Sequence, residues 1–259
     1  MSESPSEVSR IILALDVNTA EAAIRMASAV KGVVNWVKIG LELINAQEAG
    51  KVANWANENG FMIFWDVKLD DIPTTMARAA LAVVKRFDVD VINLHASSDV
   101  EGMLAVVDAV KSEDSSVNVI AVTELSSKNT ETCELNSGLS RNASIIHSAR
   151  MARYAGCDGI VCAPTDLQLL AAVSGRKLYP ERALGVDFLK VVPGTRLPGA
   201  DTHDQKNVMS QHEAVLMGAY WLVIGREISA AISPIEAARK INEVVSVALT
   251  ERASRKAGV

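Results

Sequence analysis

Eight short apolar runs recur along the chain: "RIILALDV" (10–17), "NWVKIGL" (35–41), "FMIFWDVK" (61–68), "DVINLHA" (90–96), "NVIAVTEL" (118–125), "DGIVCA" (158–163), "ALGVDFLKVVPG" (183–194) and "AYWLVIG" (219–225). They are apolar almost throughout rather than at every second position, which predicts strands buried on both faces, as in a parallel sheet. Between and after them lie segments with apolar residues at helical spacing: 19–30, 47–58, 74–86, 99–111, 142–154, 165–173, 208–217 and 234–250. Start signals fit. Thr19 and Asp99 each precede an apolar-periodic run, and Ser233 followed by Pro234 is a cap and a first-turn proline. Eight strand-then-helix units over about 250 residues is the arithmetic of a single (β/α)8 TIM barrel of the α/β class. A doubly wound open sheet is the alternative. It would want a glycine-rich turn after the first strand, and here that strand runs into "ALDVNTAEAA" without a glycine.

Composition narrows the picture. Of 259 residues, 49% are hydrophobic, enough for one large core. No linker or low-complexity stretch divides the chain. The expected organisation is a disordered tail over 1–9, one barrel domain over 10–250 and a second tail over 251–259. The first nine residues, "MSESPSEVS", have neither the basic region nor the apolar stretch of a secretory signal, and no apolar run is long enough to cross a membrane. A formal net charge of −5 offers no nucleic-acid surface. Cys133, Cys157 and Cys162 are spaced for neither a zinc site nor a disulfide frame, and the four histidines are scattered. These residues predict no metal and a reducing, cytoplasmic setting.

In a barrel of this kind, chemistry sits at the C-terminal ends of the strands. The polar residues that interrupt or end the apolar runs are therefore the candidates. Strand 1 gives Asp16, strand 2 Lys38, and strand 3 Asp66 and Lys68, with Asp71 just beyond. Strand 4 gives His95, strand 5 Thr123 and Ser126, and strand 8 Arg226. Lys38, Asp66 and Lys68 interrupt strongly apolar strands, where charge is costly unless paired. Asp66 and Lys68 are two apart and so point to the same side of a regular strand. With Lys38 from the neighbouring strand they would form an alternating Lys–Asp–Lys array closed by Asp71.

A second constellation lies near the other end of the chain, in "VVPGTRLPGADTHDQ" and "VIGREI". The loops after strands 7 and 8 of such barrels frequently hold a phosphate. Arg196, Gln205, Gly225 and Arg226 are suitable ligands, because arginine can grip an anion bidentately and glycine lets backbone N–H groups approach it. The longest loops, around 126–141 and 195–207, both follow strand ends, the usual place for an active site. One mouth thus carries a phosphate grip on one side and paired charges on the other. It suits an enzyme acting on a phosphorylated small molecule by charge and proton transfer.

These pieces resemble the orotidine 5′-phosphate decarboxylase family of the bacterial type. The matching segments are "ALD" (14–16), "VKIG" (37–40), "DVKLDDIPTT" (66–75), "TELS" (123–126), "PGTR" (193–196), "DQ" (204–205) and "VIGR" (223–226), in family order. The resemblance implies decarboxylation of orotidine 5′-phosphate to UMP without a cofactor, in the last step of de novo UMP biosynthesis, by a homodimer with shared active sites. It implies Lys38, Asp66, Lys68 and Asp71 as the charged tetrad, with Lys68 protonating C6 and Asp66 stressing the departing carboxylate. Asp71, Ile72 and Thr75 would reach into the partner's site. Asp16 and Lys38 would hold the ribose, Ser126 or Thr123 the base, and Pro193 would sit beside the ring. Arg196, Gln205, Gly225 and Arg226 would bind phosphate under a lid at 195–207. Asp70 departs from the pattern, in which histidine or alanine is frequent. Two other readings stand beside this one: a Mg2+-dependent sugar-phosphate decarboxylase or hexulose-phosphate synthase of the same superfamily, and a non-catalytic nucleotide-phosphate sensor.

Overall fold

The structure is a computed structural model and describes residues 9–174, 188–196 and 209–257. Each of the eight apolar runs carries one strand: β1 (Ile11–Leu15), β2 (Trp36–Gly40), β3 (Met62–Leu69), β4 (Val91–His95), β5 (Asn118–Val122), β6 (Gly159–Val161), β7 (Leu189–Pro193) and β8 (Trp221–Ile224). They pair in parallel and in sequence order, and β8 returns to β1 to close a barrel. Closure excludes the open-sheet alternative. The near-continuous apolar character of the strands has a direct cause. Residues such as Ile12, Phe64 and Val191 fill the barrel interior. Their neighbours, such as Ile11, Ile63 and Val192, face a larger outer core.

That outer core is covered by α1 (Ala20–Ser28), α2 (Leu41–Asn45), α3 (Ala49–Glu58), α4 (Pro73–Phe87), α5 (Asp99–Glu113), α6 (Thr130–Ser137), α7 (Arg141–Tyr154), α8 (Asp166–Ser174), α9 (Gln211–Leu216), α10 (Arg226–Ser229) and α11 (Pro234–Ala257). Thr19 caps α1, its hydroxyl accepting from the Ala22 N–H at 3.3 Å. Pro73 opens α4 after extended Ile72. Three short helices, α2, α6 and α10, lie where the sequence pattern predicts loop. The expected C-terminal tail is also corrected, because α11 continues to Ala257. Its polar end is held by Arg252, whose Nη1 donates to Val215 O at 3.3 Å and Ala219 O at 3.2 Å. At the other end, Ser9 Oγ donates to Asn242 Oδ1 at 3.1 Å. Residues 1–8 of the expected N-terminal tail, 183–187 of the seventh run and 197–207 of the expected lid lie outside the described residues. Among the described residues, no helix is long and apolar enough to cross a membrane.

Candidate active site

The inward face of the barrel changes from apolar to polar along its axis. Ile12 and Ala14 of β1, Trp36 of β2, Phe64 of β3 and Val91 of β4 fill the interior. Two residues further toward the C-terminal end, the same faces present Asp16, Lys38, Asp66 and Asn93. Period-two alternation thus delivers three charges and an amide to one mouth. Lys38 Nζ lies 3.0 Å from Asp16 Oδ1 and 3.0 Å from Asp66 Oδ2. Lys68 Nζ lies 2.6 Å from Asp66 Oδ1. Asp66 is the hub, gripped by one lysine on each oxygen. Gly40 leaves room for the arrangement, since a Cβ there would stand 2.9 Å from Lys38 Nζ and displace the ammonium.

Lys68 reaches this array by a different route from regular alternation. The β3–β4 register runs from Trp65 opposite Ile92 to Leu69 opposite Leu94. Asp66, Val67 and Lys68 therefore stand opposite Asn93 alone, as a bulge. Lys68 has φ +53°, the left-handed region, which costs a non-glycine residue about 1–2 kcal/mol. The expectation that Asp66 and Lys68 share a side is met in outcome, but the bulge produces it. Strand 4 contributes Asn93 rather than His95. His95 is held below its ordinary pKa by burial, partly opposed by Asp70, and does not line the cavity.

Electrostatics keep the array charged. Burial works against the Asp66 carboxylate, but Lys38 and Lys68, with hydrogen bonds from Lys68 and Asn93, outweigh it and hold the pKa below the usual carboxylate value. Burial likewise works against the Lys38 ammonium, and Asp66 and Asp16 outweigh it, so its pKa lies above the ordinary lysine value. Asp66 is 6% exposed and Lys38 8%. At neutral pH both are ionised, and removing either partner would leave the other a buried charge with part of its compensation lost, Lys38 keeping Asp16 and Asp66 keeping Lys68.

The array forms one side of a cavity of about 360 Å³. Pro193, Gly194, Arg196, Gly225 and Arg226, from the ends of β7 and β8, line another part of it. Arg196 is anchored through its backbone N–H to Met209 O at 3.1 Å. Ser126 and Glu124 complete the wall after β5. Thr123 does not line the cavity: its hydroxyl donates to Val161 O at 3.0 Å, leaving Ser126 as the hydroxyl facing the space. Cys162 lines the cavity too, but burial, reinforced by Asp166, pushes its thiol pKa up and keeps it protonated. Cys157 is pushed up to about 12 by burial. Neither is a nucleophile. Among the described residues, no group of three His, Cys, Asp or Glu side chains is arranged to hold a metal ion.

Asp71, Ile72 and Thr75 are exposed and do not line this cavity. Asp71 Oδ1 accepts from its own neighbour, the Ile72 N–H, at 2.7 Å. Asp70 turns to the rim, where its Oδ2 accepts from Ser97 Oγ at 3.1 Å. Gln205 lies outside the described residues. The residue the sequence reading missed is Asn93, a neutral amide in an apolar strand.

The sequence profile of the "Orotidine 5'-phosphate decarboxylase / HUMPS family" matches residues 9–241. The orotidine 5′-phosphate decarboxylase of Moorella thermoacetica is 37% identical over 240 residues, covering 90% of each chain. That of Staphylococcus aureus is 34% identical over 210 residues, covering 80% of this chain and 86% of the other. The crystal structure of orotidine 5′-phosphate decarboxylase from Lactobacillus acidophilus superposes with a TM-score of 0.76 at 27% identity, over 92% of this chain and 99% of that one. By sequence and by fold, the chain belongs to the orotidine 5′-phosphate decarboxylase / HUMPS family.

Proposed function

We propose that the chain decarboxylates orotidine 5′-phosphate to UMP and CO2, in the cytoplasm, as a homodimer with shared active sites. The observation that carries this reading is the Lys38–Asp66–Lys68 array, with contacts of 2.6–3.0 Å, facing a cavity whose other lining includes Arg196 and Arg226. Loss of CO2 leaves the electron pair of the broken bond on C6 of the pyrimidine, where it is poorly delocalised. Preorganised charge must stabilise it. Lys68 holds an ammonium for that carbanion and then transfers a proton to C6, recovering its own proton from solvent. Asp66, kept ionised by its lysines, faces the substrate carboxylate, and the like-charge contact is relieved as neutral CO2 departs.

The remaining roles follow the cavity. Asp16 and Lys38 hold the ribose, Ser126 the base, and Pro193 packs beside the ring. Arg196, Gly225 and Arg226 take the phosphate, with Gln205 as a further ligand. Phosphate binding far from C6 can then contribute to the barrier as well as to affinity. Asp71, Ile72 and Thr75 serve the partner's site.

The direct test is the ultraviolet absorbance of orotidine 5′-phosphate on incubation with the protein, with and without EDTA. Time-dependent loss insensitive to EDTA is the expected result. Turnover abolished by EDTA and restored by Mg2+ would move the assignment toward the sugar-phosphate enzymes of the family. UMP binding without absorbance loss would favour a sensor. Arg226→Ala separates the phosphate grip from the chemistry. Loss of a charge-assisted contact lowers kcat/KM for orotidine 5′-phosphate by about 10- to 100-fold. Turnover of the unphosphorylated nucleoside, which never used the contact, stays near its native level. Equal losses on both substrates would remove Arg226 from the phosphate site.

A further inference from the structure

We infer that Asn93 is a positioning residue for the decarboxylation chemistry, acting through both Asp66 and Lys68. Its side chain is 1% exposed. Its Nδ2 donates to Asp66 Oδ1 at 2.7 Å, and its Oδ1 accepts from the Lys68 backbone N–H at 2.7 Å. Asp66 Oδ1 is also the oxygen that meets Lys68 Nζ, at 2.6 Å. One amide therefore fixes both ends of the Asp66–Lys68 contact.

The strand geometry explains why an amide is needed. At the bulge, Lys68 leaves the regular β3–β4 ladder in a left-handed conformation, φ +53°. Its N–H needs an acceptor there. Asn93 Oδ1 supplies it and pins a backbone conformation that a lysine does not adopt readily. The other half of the same amide fills the remaining position on Asp66 Oδ1, so the carboxylate cannot turn. A side-chain amide offers a donor and an acceptor on two different atoms of one planar group at neutral pH, and glutamine is one methylene too long for a buried site filled by asparagine.

The inference rests on the proposed decarboxylation and deepens it, so the native chain is assayed first. Absence of native turnover would defeat that reading. With native turnover established, Asn93→Ala is expected to lower kcat by about 100-fold, the scale of a small misplacement of reacting groups, with UMP affinity unchanged. A purely structural residue would instead lower the melting temperature and leave kcat per folded molecule intact. Asn93→Asp sharpens the distinction. It keeps the acceptor for the Lys68 N–H but sets a second carboxyl against Asp66, and two adjacent carboxyls favour sharing a proton. Protonated, the new carboxyl can donate to Asp66 Oδ1 as the amide did; ionised, it repels it.

The ratio of Asn93→Asp to native kcat should therefore rise as pH falls. Asp16, Lys38, Asp66, Lys68, Asp70, Glu124, Lys128 and His95, which surround the site on the neighbouring strand ends and loops, are present in both proteins, so the native profile over the same pH range is the control. A pH-independent ratio, or Asn93→Ala with native kcat, would overturn the inference. So would failure of both variants to fold, which would make Asn93 a residue of the fold alone.

Discussion

Lys68→Ala is expected to abolish turnover while leaving UMP binding measurable. Two separate contributions are lost together. The proposed proton donor to C6 disappears, typically a loss of 10²–10⁴-fold, and so does the ammonium proposed to face the developing carbanion, typically 10²–10³-fold. They act at one atom and do not simply multiply, so a fall of about 10⁴-fold or more is the expected scale. Binding survives because the contacts proposed for ribose and phosphate lie elsewhere, on Asp16, Lys38, Arg196 and Arg226. The fold survives as well, because Asp66 keeps Lys38 at 3.0 Å and Asn93 at 2.7 Å. Absorbance progress curves give the rate, and titration calorimetry with UMP gives the affinity. Decarboxylation near the native rate would remove Lys68 as the donor. Loss of UMP binding in parallel would mean that the lysine serves affinity rather than the barrier.

The legibility of this molecule follows its physics. All eight strands were readable because both faces of each are buried, inner residues such as Phe64 against the barrel axis and outer ones such as Ile63 against helices. The charges at Lys38 and Asp66 were readable because they interrupt those runs, where an unpaired charge would be too costly to keep. Three helices were not readable. Helices α2 and α10 span only five and four residues, too short for a periodic stripe. Helix α6, "TETCELNS", buries only Cys133 and otherwise has a loop's composition. The end of α11 looked like a tail because its charges imply solvent, yet Arg252 is spent on two backbone carbonyls of the barrel.

Asn93 escaped for a related reason. A search for charges in apolar strands passes over a neutral amide, and nothing local in "DVKLDD" announces a bulge, since the left-handed residue is a lysine rather than a glycine. The signal that could have found it is positional. Asn93 stands two residues beyond Val91 on the inward face, as Asp66 stands beyond Phe64 and Lys38 beyond Trp36. Reading the alternation across strands as a ring, instead of strand by strand, marks it as a member of the site.

Mixing two inactive variants should restore activity, and this is the prediction that reaches beyond a single chain. Asp71, like Asp70, lies outside the chain's own cavity, and the adjacent Ile72 is 65% exposed. A large apolar side chain beside an exposed carboxylate that its own cavity does not employ, with Thr75 exposed one helical turn on, is what a surface completed by a second copy would present. In a two-fold dimer each such patch meets its counterpart. Asp71→Ala and Lys68→Ala chains are each expected to be inactive alone, because every site in either homodimer lacks one member of the tetrad. In a hybrid dimer, the Asp71→Ala chain supplies an intact Lys68 to a site that the other chain completes with its native Asp71. The second site of that hybrid lacks both. Random exchange of equal amounts makes half of the dimers hybrid, with one working site in two, so about a quarter of native activity should return. Differently tagged chains and native mass spectrometry establish that exchange has occurred. Hybrids present without activity would show that Asp71 serves its own chain, and full activity of Asp71→Ala alone would remove it from the chemistry. Recovery approaching a quarter would require an active site built from two chains, and the charges of 66–71 would then divide between two cavities.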